Sequence, residues 1–346
     1  YRELLRLRRL WLSAGTPPEA LRVFSRKLLQ VPEHTWGLDV KTHLHDWVNY
    51  RPADFKAARS GDNYLKMEAS WKEQRGYLVD AVTALPPALK QEAEDHLTRI
   101  APHRPDPLAF SPVGDLSRPV QLDPFSVAFD PQTGAITHLE KDGYDWASPQ
   151  APIGKFWYET FSAEDYRRFY HQYNVHKRTT HSWAIQDFTK PGIDPVATQH
   201  KTFIPRLTWA GRKDQEDQTV FLIKLEMPEE SWQAYGAPRL AWLEITLPRA
   251  MPVVKFDLQW FDKSASRLPE AAWFSMVPQV REPRLWRMDK LGEWVSPNDV
   301  IRDGNRHLHA VGSGVRYVYG KRRLSIDTLD TALVAPGKPS LLDFNN

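Results

Sequence analysis

The chain has 346 residues, of which 41% are hydrophobic and 26% charged, and its formal net charge is only +3. These values are typical of a globular protein with two or three domains, and the mixture of both charge signs argues against nucleic acid or an acidic membrane surface as the main partner. Cysteine is absent, which excludes disulfides and thiolate chemistry, and no apolar run approaches the roughly 20 residues of a membrane span.

The first residues already show a helical pattern. Leu4, Leu7 and Trp11 recur at spacings of three and four, but no methionine and no N-cap residue precede them. We therefore expect the chain to be a fragment whose N-terminus, with any targeting signal, lies upstream. Its localisation is left open.

Residues 1–100 are predicted to form an antiparallel helical bundle. Residues 16–30 begin with Thr16 as the expected N-cap and continue with a buried apolar stripe. Residues 62–85 carry apolar side chains along one face, and the two prolines that follow end this helix and begin the next. Residues 101–120 hold five prolines and no helical period, which predicts a domain linker.

From residue 121 onward, the hydrophobic period changes from helical to alternating. Residues 125–139 read as a β-hairpin, with the turn DPQTG between two alternating runs. Many further strands of five to nine residues follow, interrupted by one short helix at 162–173. The predicted fold class is therefore α+β, with the bundle followed by a large antiparallel β-sandwich over residues 121–346.

Several motifs are missing, and their absence narrows the chemistry. The sequence contains no G-x-G-x-x-G, no phosphate-binding Walker loop, no G-x-S-x-G and no H-E-x-x-H. Nucleotide-dependent chemistry and a serine nucleophile on a strained turn are therefore without support. The 14 tryptophans are unusual, because an indole suits both core packing and stacking on a sugar ring.

Titratable and aromatic residues concentrate in one connection between helices, VPEHTWGLDVKTHLHDW at 31–47. His34 follows a proline that ends a helix, and a loop histidine beside a carboxylate acts as an acid or base, as a metal ligand, or as an ordinary hydrogen-bonding residue. His43 and His45 are two residues apart, a spacing that does not place both on one face of a helix. A metal site needs three or four converging ligands, which this segment alone does not supply.

Two later segments carry further candidates. In RDGNRHLHAVGSGVRY at 302–317, His309 lies in a strand-like alternation, with Arg306 on the other face, and the alternative is a polar hairpin. In RLPEAAWFSM at 267–276, Glu270 lies near Trp273 at the start of an apolar strand. A carboxylate with an aromatic side chain is a typical sugar-recognition pair, although it is also common on surfaces.

On these segments, together with PFSVAFDPQTGAITHLEKDG and LDTALVAPG, the chain resembles the second half of glycoside hydrolase family 38 α-mannosidases. It resembles more closely a mannosidase-like group, the domain of unknown function numbered 5054. The resemblance implies a helical bundle followed by a mutarotase-like β super-sandwich, and a catalytic β/α domain upstream of this chain. The nucleophile, the acid/base carboxylate and most metal ligands would then belong to that upstream domain, which leaves no catalytic residue in this chain.

The same resemblance assigns roles to individual residues. His34 would complete a divalent-metal site, with zinc as the expected metal, although Thr35 stands where those enzymes carry an aspartate. Glu33 and Asp39 would orient His34, and Trp36 would wall the sugar pocket. The sandwich would add contacts at the rim of that pocket, from Glu270, Arg306 and His309.

Three readings follow from the sequence. In the first, the chain is the helical and sandwich part of a metal-dependent glycoside hydrolase that acts on a carbohydrate substrate together with its upstream domain. In the second, it is a carbohydrate-binding module without chemistry of its own. In the third, it is a polysaccharide lyase, which needs a tyrosine or histidine base facing a group that neutralises a uronate.

Overall fold

The computed structural model describes residues 1–33, 36–174, 179–249, 251–301 and 304–337. Helices dominate the first 99 residues and strands the remainder. The α-helices within the described residues are α1 (Arg2–Ser13), α2 (Arg22–Leu29), α3 (Val40–His43), α4 (Pro52–Ala58), α5 (Asp62–Thr83), α6 (Pro87–Arg99), α7 (Ala163–Tyr173), α8 (Ser182–Phe188) and α9 (Glu229–Ala234). None of these helices has the length and hydropathy of a membrane span.

The helices of the N-terminal region share one apolar core. Leu4, Leu7 and Trp11 of α1 are buried, as their spacing predicts, and they pack with side chains of α2, α5 and α6. Thr16 does not cap a helix. The segment instead begins with a 3-10 turn at Pro18–Leu21, whose N-cap position is occupied by Pro17, so that no side chain caps it.

Antiparallel strands form the remainder of the described fold. They are β1 (Ser111–Pro112), β2 (Val120–Leu122), β3 (Phe125–Phe129), β4 (Ile136–Lys141), β5 (Tyr144–Asp145), β6 (Ile153–Thr160), β7 (Lys201–Phe203), β8 (Arg206–Asp214), β9 (Gln218–Glu226), β10 (Leu240–Pro248), β11 (Lys255–Trp260), β12 (Glu270–Met276), β13 (Arg287–Lys290), β14 (Glu293–Val295), β15 (His309–Ala310), β16 (Gly314–Tyr319), β17 (Arg322–Asp327) and β18 (Leu333–Val334). The predicted hairpin is confirmed as β3 and β4.

The strands assemble into two large and two small sheets. The five-stranded sheet has the order β1-β8-β9-β10-β11. The seven-stranded sheet has the order β12-β6-β4-β3-β2, with β5 on β4 and β7 on β6. A four-stranded sheet, β14-β13-β16-β17, and the pair β15-β18 follow. Aromatic and aliphatic side chains from both large sheets form one buried cluster, as in a sandwich: Val127, Phe129, Phe156, Tyr158, Phe221, Ile223, Leu243 and Ile245.

The predicted α+β class is therefore confirmed in its coarse form. The division into domains at residues 101–120 stays a prediction. Part of that segment belongs to the sheets, because Ser111 and Pro112 form β1 beside β8 and Leu116 is buried.

A helical insertion interrupts the seven-stranded sheet between β6 and β7. It comprises residues 161–200, described except for 175–178, and carries α7 and α8. The predicted helix at 162–173 is confirmed as α7, and a capping box between Ser162 and Asp165 fixes where it begins. The insertion contacts the N-terminal region, since the Tyr50 hydroxyl donates to the carbonyl of Pro191 over 2.7 Å.

Candidate functional site

An ion pair connects the helical region to the seven-stranded sheet. Arg267, just before β12, lies 3.0 Å from Asp46 Oδ1; Asp46 is buried, and the Arg267 side chain is 12% exposed. The same guanidinium donates to the carbonyl of Asn49 over 3.2 Å and to the hydroxyl of Tyr64 over 2.7 Å. The Cζ atom of this guanidinium also lies 4.7 Å from the ring centre of Tyr50. We call this contact region, together with the neighbouring residues Lys190, Lys263 and Glu270, the junction.

Asp46 accepts hydrogen bonds on both of its oxygens. The backbone N–H groups of Val48 and Asn49 donate to Oδ1, and the hydroxyl of Tyr64 donates to Oδ2 over 2.6 Å. Burial alone raises the pKa of Asp46, but these hydrogen bonds outweigh it and hold the pKa far below its ordinary value. Asp46 is therefore ionised at neutral pH and is the anionic partner that a buried arginine requires.

Glu270 lies at the start of β12, on the core side of the sheet. Lys263 donates to its Oε1 over 2.7 Å, and the hydroxyl of Tyr158 donates to its Oε2. Burial, followed by the charge of Glu270 and this hydrogen bond, raises the pKa of Tyr158 well above its ordinary value. Both oxygens of the predicted rim residue thus bind neighbouring side chains of the same fold.

Trp273 does not pair with Glu270. The two residues are three apart on a strand without a bulge between them, so their side chains lie on opposite faces of the sheet. The register places Trp273 directly opposite Trp157, on the face that points away from the shared core. The two indoles stack, with ring centres 5.5 Å apart and planes 20° from parallel. Both side chains are half-buried, so part of each ring is open to solvent.

Polar groups hold this stacked pair in place. Trp157 Nε1 donates to the hydroxyl of Ser275 over 2.8 Å, and Trp273 Nε1 donates to Glu159 Oε2 over the same distance. Glu159, not Glu270, is therefore the carboxylate beside Trp273. With the N–H edges fixed, the apolar faces of the rings present a defined surface.

A histidine extends the polar side of this surface. His200 Nε2 lies 3.2 Å from Glu159, and its Nδ1 lies 3.0 Å from Asp165 of α7. Burial raises the pKa of Asp165, but hydrogen bonds from Ser162 and His200 lower it by more, so the net shift of this pKa is downward. The half of the sheet around β6 and β12 thus carries two tryptophans, an imidazole and two carboxylates.

A second polar row crosses the outward face of the same sheet. His138 Nδ1 lies 2.5 Å from Asp145, and its Nε2 lies 3.1 Å from the hydroxyl of Ser126. This order of groups is that of a serine-nucleophile triad. Ser126 is only 9% exposed, which leaves its oxygen closed to a substrate, so we assign the row a structural role in joining β3, β4 and β5.

The loop singled out at 31–47 lies beside the insertion. Trp36 is 46% exposed and Glu33 is exposed. Asp39 caps α3. Its pKa is lowered to about 2, chiefly by the hydrogen bonds that Thr42 donates to it. Asp39 thus orients a helix end in the described structure. His34 and Thr35 lie outside the described residues, so the predicted histidine ligand stays a prediction.

Of the predicted rim residues in 302–317, His309 lies on the small two-stranded sheet and Arg306 precedes it. His309 is buried on β15 and pairs with Val334 of β18. Its Nε2 bonds the carbonyl of Arg306 over 3.0 Å, and burial is the main cause that lowers its pKa. The side chain of Arg306 is exposed. The structure thus brings the segments 31–47 and 267–276 together and places 302–317 elsewhere.

Sequence reasoning missed the residues that form both clusters. Asp46 and Arg267 lie inside the quoted segments, but 221 residues separate them, and a single sequence does not show that they meet. Glu159 and Trp157 lie on a predicted strand, where alternation with buried neighbours indicates an outward face. That alternation was the available signal for Trp157 and Glu159. His200 carries no such signal.

Metal binding has no support from the described part of the chain. No group of three or more histidine, aspartate or glutamate side chains there is arranged to hold a metal ion. His200 already contacts carboxylates through both ring nitrogens. The described residues do not by themselves fit the divalent-metal site that the resemblance implies.

Taken together, the structure defines an α+β protein in which a helical region is joined through a buried ion pair to two large antiparallel sheets. A family described as Domain of unknown function (DUF5054) matches residues 1–255, and the chain belongs to this family. No curated protein and no solved structure matches the chain.

Proposed function

We propose that this protein recognises carbohydrate on the outward face of the seven-stranded sheet. The observation that carries the proposal is the stacked pair of Trp157 and Trp273, whose N–H edges are fixed by Ser275 and Glu159. A sugar ring offers apolar C–H faces and a rim of hydroxyl groups. Indole faces suit the former, and a neighbouring imidazole suits the latter.

Hydrogen-bonding side chains lie next to the stacked indoles on the same face of the sheet. His200, whose side chain is 45% exposed, lies at the end of the tryptophan pair nearest α7, and Lys155 lies opposite Ser275 at the other end. Glu159 is only 6% exposed and holds Trp273 and His200 in place. A saccharide that stacks on the indoles therefore meets hydrogen-bonding groups at both ends. This arrangement supports binding and orientation of a neutral sugar.

The proposal is tested by calorimetry with neutral disaccharides built from mannose, glucose and galactose. At least one is expected to bind the whole chain, and Trp273→Ala is expected to weaken that binding about tenfold, or about 1.4 kcal/mol. Trp242→Ala is the matched control, because Trp242 also belongs to a tryptophan pair, that with Trp209 on the other large sheet. Equal losses in both variants, or no binding of any disaccharide by the unaltered chain, would contradict the proposal.

The finer proposal comes from the resemblance and goes beyond the tryptophan pair. In it, the chain is the helical-bundle and mutarotase-like sandwich part of an α-mannosidase-like glycoside hydrolase that acts with an upstream β/α domain. His34 would contribute to a zinc site there, and Trp36 would wall the pocket. Its support is the exposure of Trp36 on a loop and the sandwich-like pair of sheets. Metal analysis of His34→Ala, in a protein that also carries such a domain, tests it.

The lyase alternative has weaker support. A tyrosine base needs a lowered pKa to take a proton at neutral pH. Burial instead raises the pKa of Tyr166 to about 12 and raises that of Tyr158 further. We therefore place recognition of a sugar ahead of proton abstraction from one.

A further inference from the structure

Lys190 differs from the other cations of the junction. Arg267 pairs with Asp46, and Lys263 pairs with Glu270. Within the described residues, the side chain of Lys190 makes neither an ion pair nor a hydrogen bond, and its ammonium lies 5.2 Å from the ring centre of Tyr50. The residue is half-buried, so part of it is open to solvent.

The backbone holds Lys190 firmly at this place. The next residue, Pro191, accepts the hydrogen bond from Tyr50, and Gly192 packs directly against the carbonyl of Trp47. Lys190 thus lies at the point where the insertion touches the helical region. A charge fixed at such a contact is preorganised for a ligand.

Neither acidic group of the junction neutralises this lysine. Asp46 is paired with Arg267. The two carboxylate oxygens of Glu270 accept hydrogen bonds from Lys263 and Tyr158. Burial, and then the charge of Arg267, lower the pKa of Lys190 to about 8, while Glu270 acts in the opposite direction. The three cations and two anions of the junction leave one positive charge in excess, and that charge lies on Lys190.

We propose that the junction is a binding site for a carboxylate ligand, with Lys190 as its pairing cation. This site is separate from the tryptophan pair, because Glu270 and Tyr158 lie on the core side of the sheet and Trp273 on the outward side. The proposal therefore goes beyond the proposed function and is independent of it.

A monoanion fits this site better than a phosphate. Phosphates are typically held by forked arginine contacts or by several donors. The guanidinium of Arg267 is already bound to Asp46, Asn49 and Tyr64. Lys190 therefore offers a single compact charge, which one carboxylate group matches.

The test measures binding of acetate, glucuronate and inorganic phosphate to the whole chain at about pH 7. Lys190→Met is expected to weaken carboxylate binding at least about tenfold, whereas Lys321→Met, at an exposed hairpin turn, leaves it unchanged. Tighter binding of glucuronate than of acetate would identify an acidic sugar as the source of the carboxylate. Tighter binding of phosphate, no binding, or equal binding by Lys190→Met would overturn the proposal.

A pH series separates the role of the charge from any effect on folding. Raising the pH from about 7 to about 9.5 neutralises a lysine with a pKa of about 8, while glucuronate and acetate stay ionised. Carboxylate binding should therefore fall by more than about tenfold across this range. Lys190→Arg keeps its charge at both pH values, and its binding should stay constant. The same pH loss in Lys190→Arg would show that another group controls binding.

Discussion

At the scale of single residues, the junction depends most on the ion pair between Asp46 and Arg267. Asp46 is buried and Arg267 is mostly covered, and each satisfies the other together with Tyr64, Asn49 and Val48. A buried ion pair adds little compared with a well-packed apolar pair, but removing one partner leaves an uncompensated charge. The guanidinium of Arg267 also contacts the rings of Tyr50 and Tyr64, so its position fixes two aromatic side chains as well.

We expect Asp46→Asn to destabilise the protein by about 3 kcal/mol or more, because Arg267 then stays buried without its counter-charge. Chemical denaturation at neutral pH measures this loss. Asp217→Asn is the matched control, since Asp217 is exposed at a turn. A loss no larger than that of the control would show that the ion pair does not hold the junction.

The stability difference should also depend on pH, with a defined sign. The folded protein keeps the pKa of Asp46 below its ordinary value, whereas unfolded aspartates titrate near about 3.9. The unfolded state therefore binds more protons as the pH falls, so the stabilisation is complete above about pH 4 and is lost below it. The difference between the unaltered protein and Asp46→Asn should shrink in acid. A constant difference down to about pH 2 would contradict this.

At the scale of elements, the helical insertion packs against the segment 47–51 beside the junction. Helix α8 buries none of its own residues, so its place depends on contacts such as Lys41 with Asp187. Gly192 makes the closest of these approaches. It has φ +75°, and a Cβ added there would lie 1.7 Å from the carbonyl oxygen of Trp47.

We expect Gly192→Ala to separate the insertion from the helical region and to cost more than about 3 kcal/mol, judged by the usual size of severe core clashes. Gly143→Ala is a closely matched control, because Gly143 has φ +74° and nothing lies within 4 Å of an added Cβ. The left-handed backbone alone should cost about 1–2 kcal/mol there. Urea denaturation compares the two variants, and similar losses would show that the contact with Trp47 is loose.

The elements that sequence reasoning predicted are those with a strong internal pattern. The hairpin β3–β4 alternates clearly, and α7 has a capping box at Ser162. Helix α8 and strands β13 and β14 were missed, because short elements held by tertiary contacts have too few residues to show a period. The failed Thr16 cap has a different cause, since the 3-10 turn begins one residue later and its N-cap position falls on Pro17.

Function at the scale of the whole molecule depends on contacts that join distant parts of the sequence. Glu270 and Trp273 were predicted as one sugar-recognition pair, but strand geometry assigns them to opposite faces. Glu270 binds the nearby Lys263 and the distant Tyr158. Trp273 binds the distant Glu159 and stacks on the distant Trp157. A sequence indicates which residue types are present, whereas the register of β6 and β12 decides which of them meet.

The proposed carbohydrate function makes its most direct prediction for the indole N–H groups of the tryptophans. Nuclear magnetic resonance of nitrogen-labelled protein resolves these signals, and site-directed changes assign them. During titration with the neutral disaccharide that binds best, the signals of Trp157 and Trp273 should shift together and saturate, while those of Trp209 and Trp242 stay in place. Shifts confined to Trp209 and Trp242, or no shift of Trp157 and Trp273 at saturation, would contradict carbohydrate recognition on this face of the sheet.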